Sequence, residues 1–344
     1  MNRMSGGSCV RVCQRNISGY GRFKCLRLVF IVFAAGGFIF FLSNLLSLHT
    51  ARERVGVFRR LYESVSFQNR FDDFPCNDTS LSSPAELSNV TNISPDLAQF
   101  LSLPVINPHP YEYVHNHEGR CQAQRPKVLF VVPSAPDNFV RRQKVRHSPL
   151  MEFLRKSSCN ATLLFFLGLP AFSKRTSEKI QRRIDSESEQ YKDIIQAGFN
   201  DAYQNIRLKA VSMLKWASIY CSNASYVIRT DDDIKFDVGE VVGAVYRAGK
   251  AHRNFVLGNL ALDWKVIRNK QSKYYVSREE FASDDLPPFA LGGLLGYPLE
   301  SVRLLYEASL RTKPLWLDDV YITGICAPRV NVTLLGDPQF TFRH

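Results

Sequence analysis

The stretch SYVIRTDDDIKFD, Ser225–Asp237, decides how the rest of the chain is read. SYVIRT is short and rich in β-branched and aromatic residues, and it predicts a buried strand. It runs straight into three adjacent carboxylates, Asp231, Asp232 and Asp233. Neighbouring carboxylates repel one another unless they are solvated, cap a helix or bind a cation. If the strand continues, alternation sends Asp231 and Asp233 to one side and Asp232 to the other. Carboxylate oxygens suit Mg²⁺ or Mn²⁺ bridging to phosphates, and open α/β sheets bind ligands at the carboxyl edge of their strands. A solvated turn opening the next helix is the competing reading, and composition does not separate the two.

Working outward, KVLFVV (Lys127–Val132), TLLFFLGL (Thr162–Leu169) and FVLGNLA (Phe255–Ala261) are further strands of the buried type. A polar basic segment around Arg141–Arg146 follows the first of them. Ser173 to about Ile195 is charged and helical in character. Tyr203, Ile206, Ala210, Leu214, Ala217 and Cys221 recur at intervals of three and four, which marks an amphipathic helix, and Val238–Ala248 reads as another. Alternating strands and helices predict an α/β sandwich on a mostly parallel central sheet.

Two further features bear on chemistry. Asp318-Asp319 stands in front of the apolar run Val320–Ile325, either as helix caps or, if folding returns them to the triple Asp, as a source of a general base. Gly292 and Gly293, in LPPFALGGLLGY, let backbone approach a bound sugar or adopt positive φ, or else form a turn before a helix around Leu299–Leu310.

The 344 residues carry 44 basic and 32 acidic side chains, with 45% hydrophobic residues, which excludes a fibrous or wholly disordered chain. Six of the basic residues, Arg3, Arg11, Arg15, Arg22, Lys24 and Arg27, lie at the amino end without an acid. The excess is therefore partly local, and the net charge of +12 does not argue for nucleic acid. Leu28–Leu48 is an uncharged run whose helix is roughly 31 Å long, enough to span a bilayer core. It exceeds the apolar core of a cleaved signal and reads as an uncleaved anchor. The flanking charge predicts type II topology: residues 1–27 a cytosolic tail, 28–48 the membrane helix, 49–120 a Ser-, Asn- and Pro-rich luminal stem, and 121–344 the catalytic domain. Sequons at Asn77, Asn89, Asn92, Asn160, Asn223 and Asn331 fit a luminal location, and Asn16 falls in the tail. Beyond the anchor lie Cys76, Cys121, Cys159, Cys221 and Cys326, an odd set most simply read as two disulfides and one further thiol. The absence of a CxxC pair argues against a zinc site.

The ordered blocks RRQKVR (Arg141–Arg146), EQYKDIIQAGFNDAYQNIRLKAVSMLKWASIYC, SYVIRTDDDIKFD, KYYVSREEF, LPPFALGGLLGY and DDVYITGICA resemble the β-1,3-galactosyltransferase family, glycosyltransferase family 31, over roughly Lys127 to Leu335. The resemblance implies a Golgi membrane enzyme with a GT-A type fold and a UDP-sugar donor. It also implies Mn²⁺ and inverting transfer to a glycan acceptor on protein or lipid. Residue by residue, it implies Asp319 as general base, Asp233 with Asp231 as metal ligands, and Arg142, Arg146, Asp231, Asp232, Gly292 and Gly293 around the donor. Lys209 matches a family lysine in the helix before the metal strand. Asp318 stands where the family has Glu, His147-Ser148 where it has Thr-Trp, and Tyr274 where it has Trp. An inactive, membrane-anchored lectin-like or assembly partner on the same fold is the rival reading.

Overall fold

Each of the four apolar runs becomes a strand, and the architecture follows from where their alternating side chains go. The computed structural model describes residues 94–156 and 160–342, all within one unit of the chain, residues 70–344. The expected tail, anchor and most of the stem lie outside the described residues, as do Asn16, Asn77, Asn89, Asn92, Cys76 and Cys159.

In chain order the elements are α1 (Pro95–Ser102), β1 (Tyr113–His115), α2 (Gly119–Gln124), β2 (Val128–Pro133), α3 (Phe139–Arg146), α4 (Pro149–Lys156), β3 (Ala161–Pro170), α5 (Lys174–Tyr191), β4 (Ile194–Asp201), α6 (Ile206–Tyr220), β5 (Tyr226–Thr230), α7 (Val238–Ala251), β6 (Phe255–Ala261), β7 (Phe289–Pro298), α8 (Leu299–Arg311), a π-helical segment Val320–Cys326, α9 (Ala327–Arg329) and β8 (Thr333–Gly336). One eight-stranded sheet has the order β1-β4-β3-β2-β5-β7-β6-β8.

The sheet is mixed, and this corrects the mostly parallel expectation. β4, β3, β2 and β5 form a parallel block, but β7 inserts antiparallel between β5 and β6. The segment containing Gly292 and Gly293 is therefore strand, not turn. β4 also escapes the sequence reading, because its apolar IIQA run abuts the charged helix α5.

Alternation along the strands builds two cores. Leu129, Val131, Leu164, Phe166 and Val227 face a front core closed by α6, α8 and the π-helical segment. Phe130, Val132, Phe165, Leu167 and Ile228 face a rear core closed by α4, α5 and α7. Burial of both faces explains why these strands read as continuous apolar runs. Local chemistry starts two of the helices: Ser94 accepts from the Leu97 N–H ahead of α1, with Pro95 at the first position, and Asp237 accepts from Glu240 ahead of α7.

Residues 94–120, assigned to the stem from sequence, already belong to this fold. Phe100 is buried in the front core, Leu310 O accepts from the Ile106 and Asn107 N–H groups, and β1 pairs with β4. Cys121 and Cys221 form a disulfide joining α2 to the end of α6, and Cys326 is a buried free thiol. Among the described residues no helix is long and apolar enough to cross a membrane.

Candidate active site

β7 runs past the end of β5. Thr230, the last residue of β5, pairs with Leu294, so Phe289–Gly293 extends beyond it and walls the carboxyl edge of the sheet. Everything in the acidic region is arranged against this wall.

Arg229 shares the strand parity of Val227, which faces the front core. Its Nη1 donates to Asp318 Oδ2 at 2.6 Å, and its Nη2 lies 3.7 Å from Asp231 Oδ1. One guanidinium thus joins the two acidic groups, although residues 229 and 318 are 89 positions apart. Asp232 has the opposite parity and is buried. It accepts from Ser134 Oγ at 2.7 Å, from Asn138 Nδ2 at 3.2 Å and from Arg141 Nη1 at 3.2 Å. Asp233 breaks the alternation. β5 ends at Thr230, the chain turns, and Asp233 joins Asp232 on Arg141, 2.6 Å from Nη1. The expectation that Asp231 and Asp233 project together is corrected for that reason.

Asp319 caps the π-helical segment, with its Oδ1 accepting from Val320 N–H at 2.8 Å, and it is half-buried at the wall. Burial, reinforced by the neighbouring Asp318 charge, pushes Asp319 up to about 6, against the pull of the Val320 and Gly292 N–H groups and Arg229. Burial also pushes Asp231 up to about 7, with Asp318, Asp233 and Asp232 adding to the effect and Arg229 opposing it. Both values sit in the range where a carboxylate can exchange a proton near neutrality.

Gly292 and Gly293 occupy strand positions, and no glycine among the described residues has positive φ. What they supply is space. A Cβ on Gly292 would stand 3.2 Å from Arg229 Nη2 and 3.3 Å from Asp319 Cβ; one on Gly293 would meet the Phe342 ring at 2.5 Å and Ile234 at 2.6 Å. The absent side chains therefore let the Arg229–Asp319 pair close on the wall.

Arg142 and Arg146 do not face the cleft as the nucleotide assignment requires. Arg142 is wholly buried, donating to Glu187, Ser134 Oγ, Ala135 O and Pro136 O. Arg146 pairs with Glu187 at 2.6 Å and Asp193 at 2.8 Å. Arg142 positions the loop after β2, and Arg146 holds Glu187 and Asp193. Lys209 has a related role: its Nζ donates to Ser134 O at 2.8 Å and pairs with Asp201, which accepts from Gly168 N–H, so it ties the carboxyl ends of β2, β3 and β4. Arg141 and Arg229 are the cationic residues at the acidic groups. Sequence reasoning missed both roles, because RRQKVR offers adjacent arginines and only the helix orientation selects one.

A divalent cation fits the donor chemistry in part. Asp231 Oδ1 is enclosed without a hydrogen-bond partner, and Asp233 is partly open to solvent. Both offer hard oxygens. Among the described residues no group of three or more His, Cys, Asp or Glu is arranged to hold a metal.

Fold and site together define an α/β protein with a group of carboxylates at the carboxyl edge of a mixed sheet. The family model described as Galactosyltransferase matches residues 140–337, which include both acidic groups and the wall between them. The chain belongs to the β-1,3-galactosyltransferase family. It is 32% identical over 226 residues to human lactosylceramide 1,3-N-acetyl-beta-D-glucosaminyltransferase, covering 64% of this chain and 59% of that one. It is 29% identical over 227 residues to mouse beta-1,3-galactosyltransferase 1, covering 66% and 68%. The chain thus spans about three fifths of the length of the human relative. Among solved structures, mannosyltransferase PcManGT from Pyrobaculum calidifontis, in complex with GDP-Man and Mn²⁺, aligns with a TM-score of 0.35 at 14% identity, covering 70% of this chain and 60% of that one. Nothing about the site follows from a likeness at that level.

Proposed function

We propose that the protein is an inverting hexosyltransferase. It moves galactose or an N-acetylhexosamine from a UDP-sugar to a hydroxyl of a glycan acceptor on protein or lipid, forming a β-1,3 linkage. One observation carries the reading: Arg229 bridges Asp231 and Asp318, so the two acidic groups meet at one guanidinium, with Asp319 next to Asp318 in the chain. Family membership and the relatives' names support the same chemistry.

In this reading the Asp319 carboxylate takes the proton of the acceptor hydroxyl as its oxygen attacks the anomeric carbon from the face opposite the nucleotide. A new C–O bond forms, the bond from the anomeric carbon to the diphosphate oxygen breaks, and UDP leaves with the electron pair. Asp319's raised basicity suits the transfer: an ordinary carboxylate is a weaker base toward a hydroxyl. Arg229 holds Asp318 so that it does not compete for the same proton. Asp233 would hold Mn²⁺, with the Asp231 charge acting beside it, and the ion when bound would neutralise charge on the departing diphosphate. Gly292 and Gly293 keep the wall flat beside the donor, Arg142 and Lys209 fix the Ser134 loop that meets Asp232, and Arg146 holds the Glu187 that Arg142 also grips. We place the catalytic part in the Golgi lumen, held to the membrane by one helix at 28–48.

The test is UDP release by the purified full-length chain in detergent, given a panel of UDP-sugars, Mn²⁺ and mixed acceptor glycans. Release should require both donor and acceptor, stop with EDTA and return with Mn²⁺. UDP release unaffected by chelator defeats the metal assignment, and no acceptor-dependent release from any UDP-sugar defeats the transferase reading. A lectin-like partner would release none.

A further inference from the structure

Lys179, Arg182, Arg183, Ser186 and Gln190 fall at the spacing of one helical face of α5, and all five are exposed. Ile180 and Ile184, on the other side of the helix, enter the rear core. Helix α3 presents Phe139, Val140 and Gln143 to the exposed face, and a groove of about 740 Å³ lies between the two helices. Its floor is fixed by stacking and hydrogen bonding. Gln143 Nε2 donates to Tyr191 Oη at 2.7 Å, and Arg146 Cζ lies 3.9 Å from the centre of the Tyr191 ring. The centre of the Phe139 ring has Arg142 Cζ at 4.7 Å and Arg183 Cζ at 3.8 Å.

Charge in this groove is one-sided. Lys179, Arg182 and Arg183 form no ion pair with a carboxylate among the described residues, although α5 contains four acids. Glu187, the carboxylate in the lining, is held by Arg142 and Arg146. Asp185 is taken by His115 and Gln181, and Glu189 by Lys192. Glu178, four residues before Arg182, makes no ion pair with it. An exposed charged helix commonly neutralises itself through pairs three and four residues apart. Here three cations lie within five residues and repel one another, and a bound anion would relieve that repulsion. Arg183 is held by an aromatic ring instead of a carboxylate, so its guanidinium is oriented while its N–H groups meet no acceptor among the described residues.

We infer that the groove between α3 and α5 docks a sulfated glycan chain, and this does not depend on the transferase reading above. Charge complementarity selects a polyanion, because the cations that line the groove have no internal partner. Lys179 to Arg183 span roughly 6 Å along the helix axis, and a guanidinium fork matches the oxygens of a sulfate group. Ser186 and Gln190 continue the same face with a hydroxyl and an amide, which exchange hydrogen bonds with sugar hydroxyls. A sulfated glycan offers that mixture of anionic groups and hydroxyls along one chain. A bilayer offers a flat sheet of headgroups, which a groove between two helices fits less well.

Binding of the full-length chain in detergent to immobilised heparin tests this, with hyaluronan, which carries carboxylates and no sulfate, as the second probe. Heparin should bind about tenfold more tightly. The combined variant Lys179→Gln, Arg182→Gln and Arg183→Gln should weaken heparin binding about thirtyfold and lower the slope of log Kd against log salt by about two. Arg155→Gln, Arg253→Gln and Lys270→Gln together remove the same charge from other exposed positions and should change Kd by about twofold at most. Arg183→Lys keeps the charge but gives up the fork and its place on Phe139, and should cost about threefold. Heparin should also protect Lys179 of the wild type from acetylation, a readout that needs no variant. Equal binding of the two probes, equal losses in the two triple variants, or Lys179 acetylated equally with and without heparin would overturn the site. Vesicles of phosphatidylserine and phosphatidylcholine that hold the wild type and release the groove variant, while heparin does not separate the two proteins, would assign the groove to a membrane surface and overturn the glycan.

Discussion

Two buried ionic clusters lie on opposite faces of the same sheet, and they are balanced differently. Behind it, Arg142 and Arg146 face Glu187 and Asp193, two cations against two carboxylates. Burial pushes Glu187 up, but hydrogen bonds and charge from the two arginines outweigh it and hold the carboxyl below its usual range. The aromatic rings of Phe139, Phe165 and Tyr191 pack on the guanidinium groups. In front, Arg229 stands alone against Asp231, Asp318 and Asp319, and two of those carboxyls are pushed up to about 7 and about 6. The rear cluster is complete as it stands and holds a loop. The front cluster is short of positive charge, which is the condition for accepting a proton or a cation. The comparison shows that deficit, not the presence of charge, marks the chemistry.

The sharpest way to break that contrast is Asp319→Asn, which removes the proposed base and leaves the shape. Turnover of the full-length chain should fall about 10³-fold, with UDP-sugar binding by calorimetry unchanged; near-normal UDP release would reassign the base. Next in size is the rear cluster. Arg142→Met leaves Glu187 with Arg146 as its remaining arginine partner and should destabilise the fold by about 3 kcal/mol in denaturant titration. Adding Glu187→Leu should recover much of that loss, because the charges that stay buried, Arg146 and Asp193, are paired with each other. If the double variant is no better than the single one, the rear cluster is more than a structural pair.

A smaller effect is expected from pH. Asp319 must be ionised to act, so transfer should fall about tenfold for each unit below pH 6 and level off above it. A profile flat down to pH 4.5 would place the base elsewhere. The smallest effect concerns Asp231. Its carboxyl is raised in the fold to about 7, so the folded state binds a proton that the unfolded state has lost, and stability falls as pH rises from about 4 to 7. A bound cation offsets that loss, so Mn²⁺ should raise Tm by a few degrees at pH 7.5 and by less at pH 5. Equal shifts at both values would remove Asp231 from the cation site.

Much of the frame was legible without coordinates. The strands at 128–133, 161–170, 226–230 and 255–261 are buried on both faces, and continuous apolar runs carry that signal directly. β7 was not legible, since Gly292, Gly293 and Gly296 interrupt its run where Arg229, Asp319, Phe342 and Val245 press against the backbone. Asp231 and Asp232 obeyed the alternation read from their spacing. Asp233 did not, because the strand stops at Thr230.

The residues alone determined the α/β class and the acidic end of β5, because strand burial and local charge repulsion are properties of neighbours in the chain. Only the tertiary structure decided that Arg229 binds Asp318 across 89 positions, that Arg142 and Arg146 are sealed behind the sheet, and that Tyr203, Tyr274 and Trp316 meet from separate segments. Such pairings depend on which strands become adjacent and which face each helix covers. No local pattern encodes that.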